Sequence, residues 1–260
     1  VLNIAPFCAL GAVGRPEIDA HRILNDDFLH GKKQMKHSAY LAALSTVFLV
    51  ACGGGSSDPA PATPSTIAAA APSVGDCFEL TPGIKFIKSN GYKELNVQET
   101  FEGSTAFGAV ELRSDDTRFG ASYQTISGGF VHGLGLNQYD QTGVLDGKNV
   151  YSSGFQIPVD MAVGQTAQLT YTDTFSDFTI GTTSTSNVSV SLTLAGFEDL
   201  TLAGRAFVNT CKFTMPSSAG QTDVLWFAKG FGIIRKELED AQGVMVAGSR
   251  IELATIVSAP

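Results

Sequence analysis

Between Cys52 and Pro260 the sequence contains one histidine, His132, in the run Gly129-Phe130-Val131-His132-Gly133-Leu134-Gly135. A Ser-His-Asp or Cys-His nucleophile would have to use it. No Gly-x-Ser-x-Gly elbow presents a serine. A zinc site needs three or four clustered ligands, and neither a histidine pair nor a Cys-x-x-Cys is present. No Gly-x-x-x-x-Gly-Lys loop cradles a phosphate. His132 therefore reads as a strand or turn histidine. Acid–base chemistry is left to carboxylates, whose densest groups are Asp115-Asp116 and Glu237/Glu239/Asp240. A hydrolase would need two of them facing across a cleft. An acidic chain offers many such pairs, and solvated turns and edges account for these. The stretch Asp140–Gly147 lacks the alternating Asp-x-Asp-x-Asp of a calcium loop and reads as a hairpin connection. The residues call for no cofactor, and the expectation is that the chain is not an enzyme.

Cysteine carries the more specific signal. Leu41–Ala51 is apolar or small throughout and follows Met35-Lys36. That order of charged, apolar and small residues is the pattern of a secretory signal. The apolar run is too short to cross a bilayer of about 30 Å, which needs roughly 20 residues. It ends in Leu49-Val50-Ala51-Cys52, which resembles the lipobox of bacterial lipoproteins. The resemblance implies that the signal, 35–51, is cut before Cys52, that the sulfur is diacylated and that the new amino terminus is acylated. Gly53 rather than aspartate follows the cysteine, which in such lipoproteins implies the outer membrane. Residues 1–34 precede Met35 and read as upstream sequence from a mis-assigned start. No role is assigned to Cys8, His21 or His30.

These signals need a domain behind them. Residues 52–73 comprise the cysteine and a Gly/Ser/Pro/Ala stretch, expected to be a disordered linker. Its composition gives a reach of roughly 25 Å as a coil, or about 65 Å if extended. Residues 74–260 suit one domain with a sizeable core. They hold twelve Lys or Arg against twenty Asp or Glu, a net charge of −8. Such a chain cannot build the basic face that nucleic acids require. It also offers no electrostatic attraction to anionic lipid, so membrane attachment falls to the acyl chains.

Hydrophobic periodicity in this part is mostly two. Asn187–Leu194 alternates strictly, as do Gln168–Thr172 and Arg250–Leu253. Phe207, Asn209, Cys211, Phe213 and Met215 are expected to share one face of another strand. Turn signals separate the runs, at Ser89-Asn90-Gly91, Ser127-Gly128-Gly129 and Asp146-Gly147 among others. The spacing predicts an all-β fold of roughly ten antiparallel strands in a curved sheet, a half-barrel or a barrel-like form. A few short helices are expected, near Pro158–Val163 and Leu238–Gln242. Once Cys52 is acylated, Cys77 and Cys211 remain, and an even pair in an oxidising periplasm predicts a disulfide.

The most distinctive patch is Trp226-Phe227-Ala228-Lys229-Gly230-Phe231-Gly232-Ile233-Ile234-Arg235. Two glycines at spacing two suggest a sharp bend or a close backbone approach within a strand. With Leu202–Phe207 before it, the patch resembles a group of uncharacterised bacterial envelope proteins. The matching positions are Trp226, Ala228, Gly230, Gly232, Ile233, Ile234 and Arg235, and their expected role is structural. Such domains are similar in fold to the lipoprotein carriers of the Lol system. The expected function is a lipid-anchored envelope protein whose domain faces the periplasm, a non-enzymatic structural or interaction module with an envelope protein as partner. Two alternatives stand beside it. One is a carrier or sensor holding an apolar small molecule among Phe101, Phe107, Phe130, Phe155, Phe197, Phe213 and Phe231. The other is the carboxylate hydrolase.

Overall fold

Alternating side chains become hydrogen-bonded strands that return to their starting point. The computed structural model describes residues 72–152, 155–217 and 220–259. The lipobox with Cys52, the signal segment, residues 1–34 and the linker up to Ala71 lie outside them. A single α-helix, α1 (Val74–Phe78), is followed by thirteen strands among the described residues: β1 (Lys85–Lys88), β2 (Lys93–Phe101), β3 (Ser104–Leu112), β4 (Arg118–Ser127), β5 (Phe130–Tyr139), β6 (Leu145–Ser152), β7 (Gln156–Pro158), β8 (Thr166–Asp177), β9 (Thr182–Leu202), β10 (Arg205–Pro216), β11 (Thr222–Ala228), β12 (Gly232–Glu239) and β13 (Ile251–Ser258). They pair in the order β4-β3-β2-β1-β13-β12-β11-β10-β9-β8-β6-β5, and β4 pairs with β5 to close a twelve-stranded antiparallel barrel. The short β7 lies against Phe130–His132 of β5. Closure satisfies the backbone of both would-be edge strands. No helix among the described residues is long and apolar enough to cross a membrane.

Up-and-down pairing gives the closed sheet two rims. One rim holds α1, the β2–β3, β4–β5, β9–β10 and β11–β12 turns, and the β7–β8 connection. The other holds the β1–β2, β3–β4, β5–β6, β8–β9, β10–β11 and β12–β13 connections. The second rim is built on side-chain-capped turns. Asp140 accepts from the backbone N–H of Thr142 and Val144, and Asp240 accepts from Gln242 and Val244 in the same way. Asp115 and Asp177 cap their own turns. Short polar side chains that bond the backbone two residues on favour such turns. Asp140–Gly147 is therefore a hairpin connection, with Asp240–Val244 as its counterpart.

Apolar side chains form three clusters. The first joins α1 to β5, β7, β8, β9 and β10, through residues such as Phe78, Val131, Leu169, Leu194 and Phe213. The second gathers Phe86, Leu202, Phe207, Trp226, Phe231 and Leu253. The third holds Phe101, Val110, Ala121 and Tyr123 of β2 to β4. The first and third lie on opposite faces of the sheet. Asn149 stands opposite Leu136, and Leu136 opposite Ser122, so these three share a face with Tyr151 of the first cluster. Tyr123, next to Ser122, points the other way. The barrel thus changes which face it buries from one sector to the next. In the β8–β9 sector the opposite face is a ladder of exposed polar pairs, Thr166 with Thr193, Gln168 with Ser191 and Thr170 with Ser189 among them. Such a row is not the apolar band that a membrane-spanning barrel turns to lipid.

Three local expectations need correction. Neither Pro158–Val163 nor Leu238–Gln242 is helical: the first is a strand end and turns, the second a strand end and a capped turn. The helix that does form is one turn and a half, where Ser73 accepts from the Gly75 N–H at 3.1 Å as N-cap. Asn209 does not share a face with Phe207 and Cys211. The ladder slips between Phe207 and Thr210, Asn209 takes φ 54°, and Thr210 turns inward instead.

The run around His132 is shaped by close approach. A Cβ on Gly135 would lie 2.1 Å from the Asn149 carbonyl oxygen and 2.8 Å from Phe101 Cζ, at φ +149°. Gly135→Ala is expected to cost about 3 kcal/mol, through clash with the Asn149 backbone; urea denaturation measures it. Nearby, Arg118 bonds Glu99 through both terminal nitrogens, at 3.1 and 3.0 Å. That bond, with a hydrogen bond donated by the Tyr123 hydroxyl, holds the Glu99 carboxyl below its ordinary value of 4.5. Its stabilisation is whole above pH 4.5 and lost as pH falls through the depressed folded-state value. Denaturation at a series of pH values should show a shallower acid loss for Glu99→Gln than for the native chain.

Candidate functional site

The place where the chain joins the barrel is fastened more heavily than a five-residue helix requires. Cys77, on α1, is disulfide-bonded to Cys211 of β10, with Cα atoms 6.0 Å apart and a sequence separation of 134. Phe78 packs on Phe227 and Phe213, with ring centroids 4.5 and 5.7 Å away. The Phe78 carbonyl accepts from the Gln124 side-chain amide of β4. Ser73 and Gly75 bond the Val159 carbonyl, at 3.0 and 3.4 Å. The attachment therefore reaches strands on both sides of the ring.

The Trp226–Arg235 patch forms the cradle for this segment. Its glycines do not bend one strand: Gly230 and Gly232, at φ 84° and 81°, make the turn between β11 and β12. The close approach is real. Gly230 N–H donates to the Glu79 carbonyl at 2.7 Å, Thr81 N–H to the Gly230 carbonyl at 3.0 Å, and the Asn96 side chain to the same carbonyl at 2.6 Å. A Cβ on Gly230 would press on Thr81, and one on Gly232 on Leu80. Lys229, at the turn's tip, bonds Asp76 and Glu79 at 2.9 and 3.2 Å, and these bonds raise its pKa.

Trp226 is a packing residue with a polar handle. Its indole N–H donates to Glu198 at 2.8 Å, with Lys212 5.1 Å and Arg235 5.5 Å from the ring centroid. The cation at the end of the motif is thus explained by the aromatic at its start. Ala228 and Ile234 are buried in the second cluster, and Ile233 is half-buried.

The remaining candidates lie apart. His132 bonds the Ser127 carbonyl across the β4–β5 hairpin at 3.1 Å. Asp116 bonds Lys85 and Lys93, both at 2.8 Å, which lowers its pKa to about 2. Glu237 bonds Arg250 at 2.6 Å. The sequence did not single out the directly opposed pair Glu94 and Glu111, which share Lys88 at 2.6 and 3.2 Å. Burial opposes the charge of Lys88, but the two carboxylates outweigh it and hold the ammonium charged. Lys88 in turn pulls Glu111 down. The adjoining cavity is about 10 Å³, no more than a water's room. No signal in the sequence pairs residues 88, 94 and 111, because register alone brings them together. Among the described residues, no group of three His, Cys, Asp or Glu could hold a metal ion.

A larger depression, about 460 Å³ and open to solvent, lies beside α1. Ser73, Asp76, Glu79, Phe107, Ile126 and Val159 are among the residues that line it. Of the aromatic residues proposed for a pocket, Phe107 alone lines it. Phe101, Phe213 and Phe231 are buried in the clusters, Phe155 and Phe197 pack against the first, and Phe130 is exposed.

No protein-family model and no curated protein matches the chain. Two solved structures are similar to it. One is a Bacteroides fragilis protein of YmcC-like fold, inferred to be exported, at 14% identity and TM-score 0.41, covering 70% of this chain and 98% of that one. The other is the hypothetical lipoprotein YmcC of Escherichia coli, at 16% identity and TM-score 0.34, covering 68% and 84%. At these values neither bears on what this chain does.

Removing the disulfide by Cys77→Ala with Cys211→Ala frees a loop of 134 residues. On the chain-entropy model it should cost about 4–5 kcal/mol, read as a lower denaturant midpoint.

Proposed function

We propose that this chain is a bacterial envelope lipoprotein, acylated at Cys52 and carried to the outer membrane. Its domain is a non-enzymatic structural or interaction module facing the periplasm, with an envelope protein as partner. Support for the address comes from Leu49-Val50-Ala51-Cys52, the apolar run before it and the Gly/Ser/Pro/Ala stretch after it. The observation that carries the reading is the attachment of Ser73–Leu80. A domain held by its amino-terminal end needs that end secured, and here a disulfide, a buried aromatic and backbone bonds from two sectors secure it. The Trp226 motif serves the same attachment.

The rival readings have less behind them. A carrier needs an enclosed apolar space, yet most of the phenylalanines are taken up in packed clusters. A carboxylate hydrolase needs two acids across an open cleft, and Lys88 fills the gap between Glu94 and Glu111.

The test is fractionation of cells fed an alkyne fatty acid. The native chain should take up the label and sediment with outer membrane. Cys52→Ala should take up none and leave the membrane fraction. Equal membrane retention of the unlabelled variant would contradict the reading.

A further inference from the structure

The ten exposed large apolar residues among those described all lie in turns or near strand ends, five at each rim. The two rims hold their carboxylates differently. At the rim away from α1, Asp115, Asp140, Asp177 and Asp240 accept from backbone N–H groups of their own turns. At the α1 rim, Asp76 and Glu79 share Lys229, and Glu102 bonds Lys148 at 2.6 Å. Beside these stand Ile126, 40% exposed, Phe130, 36%, and Val163, 60%. Ile126 lines the depression together with Ser73, the residue at which the linker meets the domain.

We infer that the α1 rim, with Ile126, Phe130 and Val163 at its tips, rests on the bilayer that holds the acyl chains. The inference rests on the proposed acylation of Cys52. Cys52 precedes Ser73 by 21 residues, a span whose coil reach is roughly 25 Å. A ten-residue strand such as β5 places the other rim about 30 Å farther away. Tethering therefore presents the α1 rim to lipid at a high effective concentration and the other rim at a low one. Aromatic and aliphatic tips sink into the headgroup boundary without needing a basic face, which this chain lacks.

The experiment uses the full chain, lipidated in cells and reconstituted in vesicles of phosphatidylethanolamine and phosphatidylglycerol. Ile126→Cys, Phe130→Cys and Ile180→Cys each carry one environment-sensitive dye, and brominated acyl chains quench it. All three positions are exposed, and the other cysteines of the processed protein are acylated or disulfide-bonded. Flotation with the vesicles and quenching several-fold stronger at 126 and 130 than at 180 is the expected result. Flotation with equal or stronger quenching at 180 would overturn the rim assignment while leaving the anchor intact. Failure to float would remove the anchor, and the rim assignment with it.

Discussion

A sheet that closes on itself must satisfy every strand on both sides, and the β4–β5 hairpin supplies that closure here. β5 is the element on which it turns. Its first residues pair with β4 and β7, its last with β4 and β6. Gly133 and Gly135 allow this crowding, since a Cβ at either would enter Phe155 or the Asn149 backbone. With no edge to spare, the sheet hides its apolar surface by burying opposite faces in different sectors. α1 can then pack against β5, β10 and β11, and the disulfide makes that packing covalent.

Much of this architecture was legible in the sequence, because strands with one wet face advertise themselves. Gln168–Thr172 and Asn187–Leu194 alternate as β8 and β9 do, with hydroxyls outward and Leu169, Tyr171, Leu192 and Leu194 inward. The pairing of Cys77 with Cys211 followed from compartment and number. What alternation could not supply was phase across an irregularity. Phe207 to Met215 looks like one uninterrupted face, and only the bulge at Val208-Asn209, bought with a left-handed Asn209, reveals that it is two. Nor could it supply closure, which depends on the register of strands that bury different faces. The short α1 is held by Ser73 and by tertiary contacts, so its sequence has no helical period to read.

The candidate site was half legible. The Trp226 motif stood out by composition, and its glycines pointed to a close backbone approach. What approaches them was not readable: Glu79 and Thr81 lie about 150 residues away in sequence and meet Gly230 only in the folded barrel. The Lys88–Glu94–Glu111 group was silent for a related reason. Its members are unremarkable strand residues until register places two carboxylates on one ammonium.

The described residues form a closed β domain whose amino-terminal segment, Ser73–Leu80, is secured by a disulfide, packing and backbone bonds, and in the proposed reading that segment is the end of a tether. The claim at its centre is the chemistry at Cys52. Intact-mass spectrometry of the protein purified from envelope membranes tests it most directly. The account predicts a chain that begins at Cys52 and carries a diacylglyceryl group and an amide-linked acyl chain. A chain that begins upstream, with Cys52 as a free thiol, would contradict it.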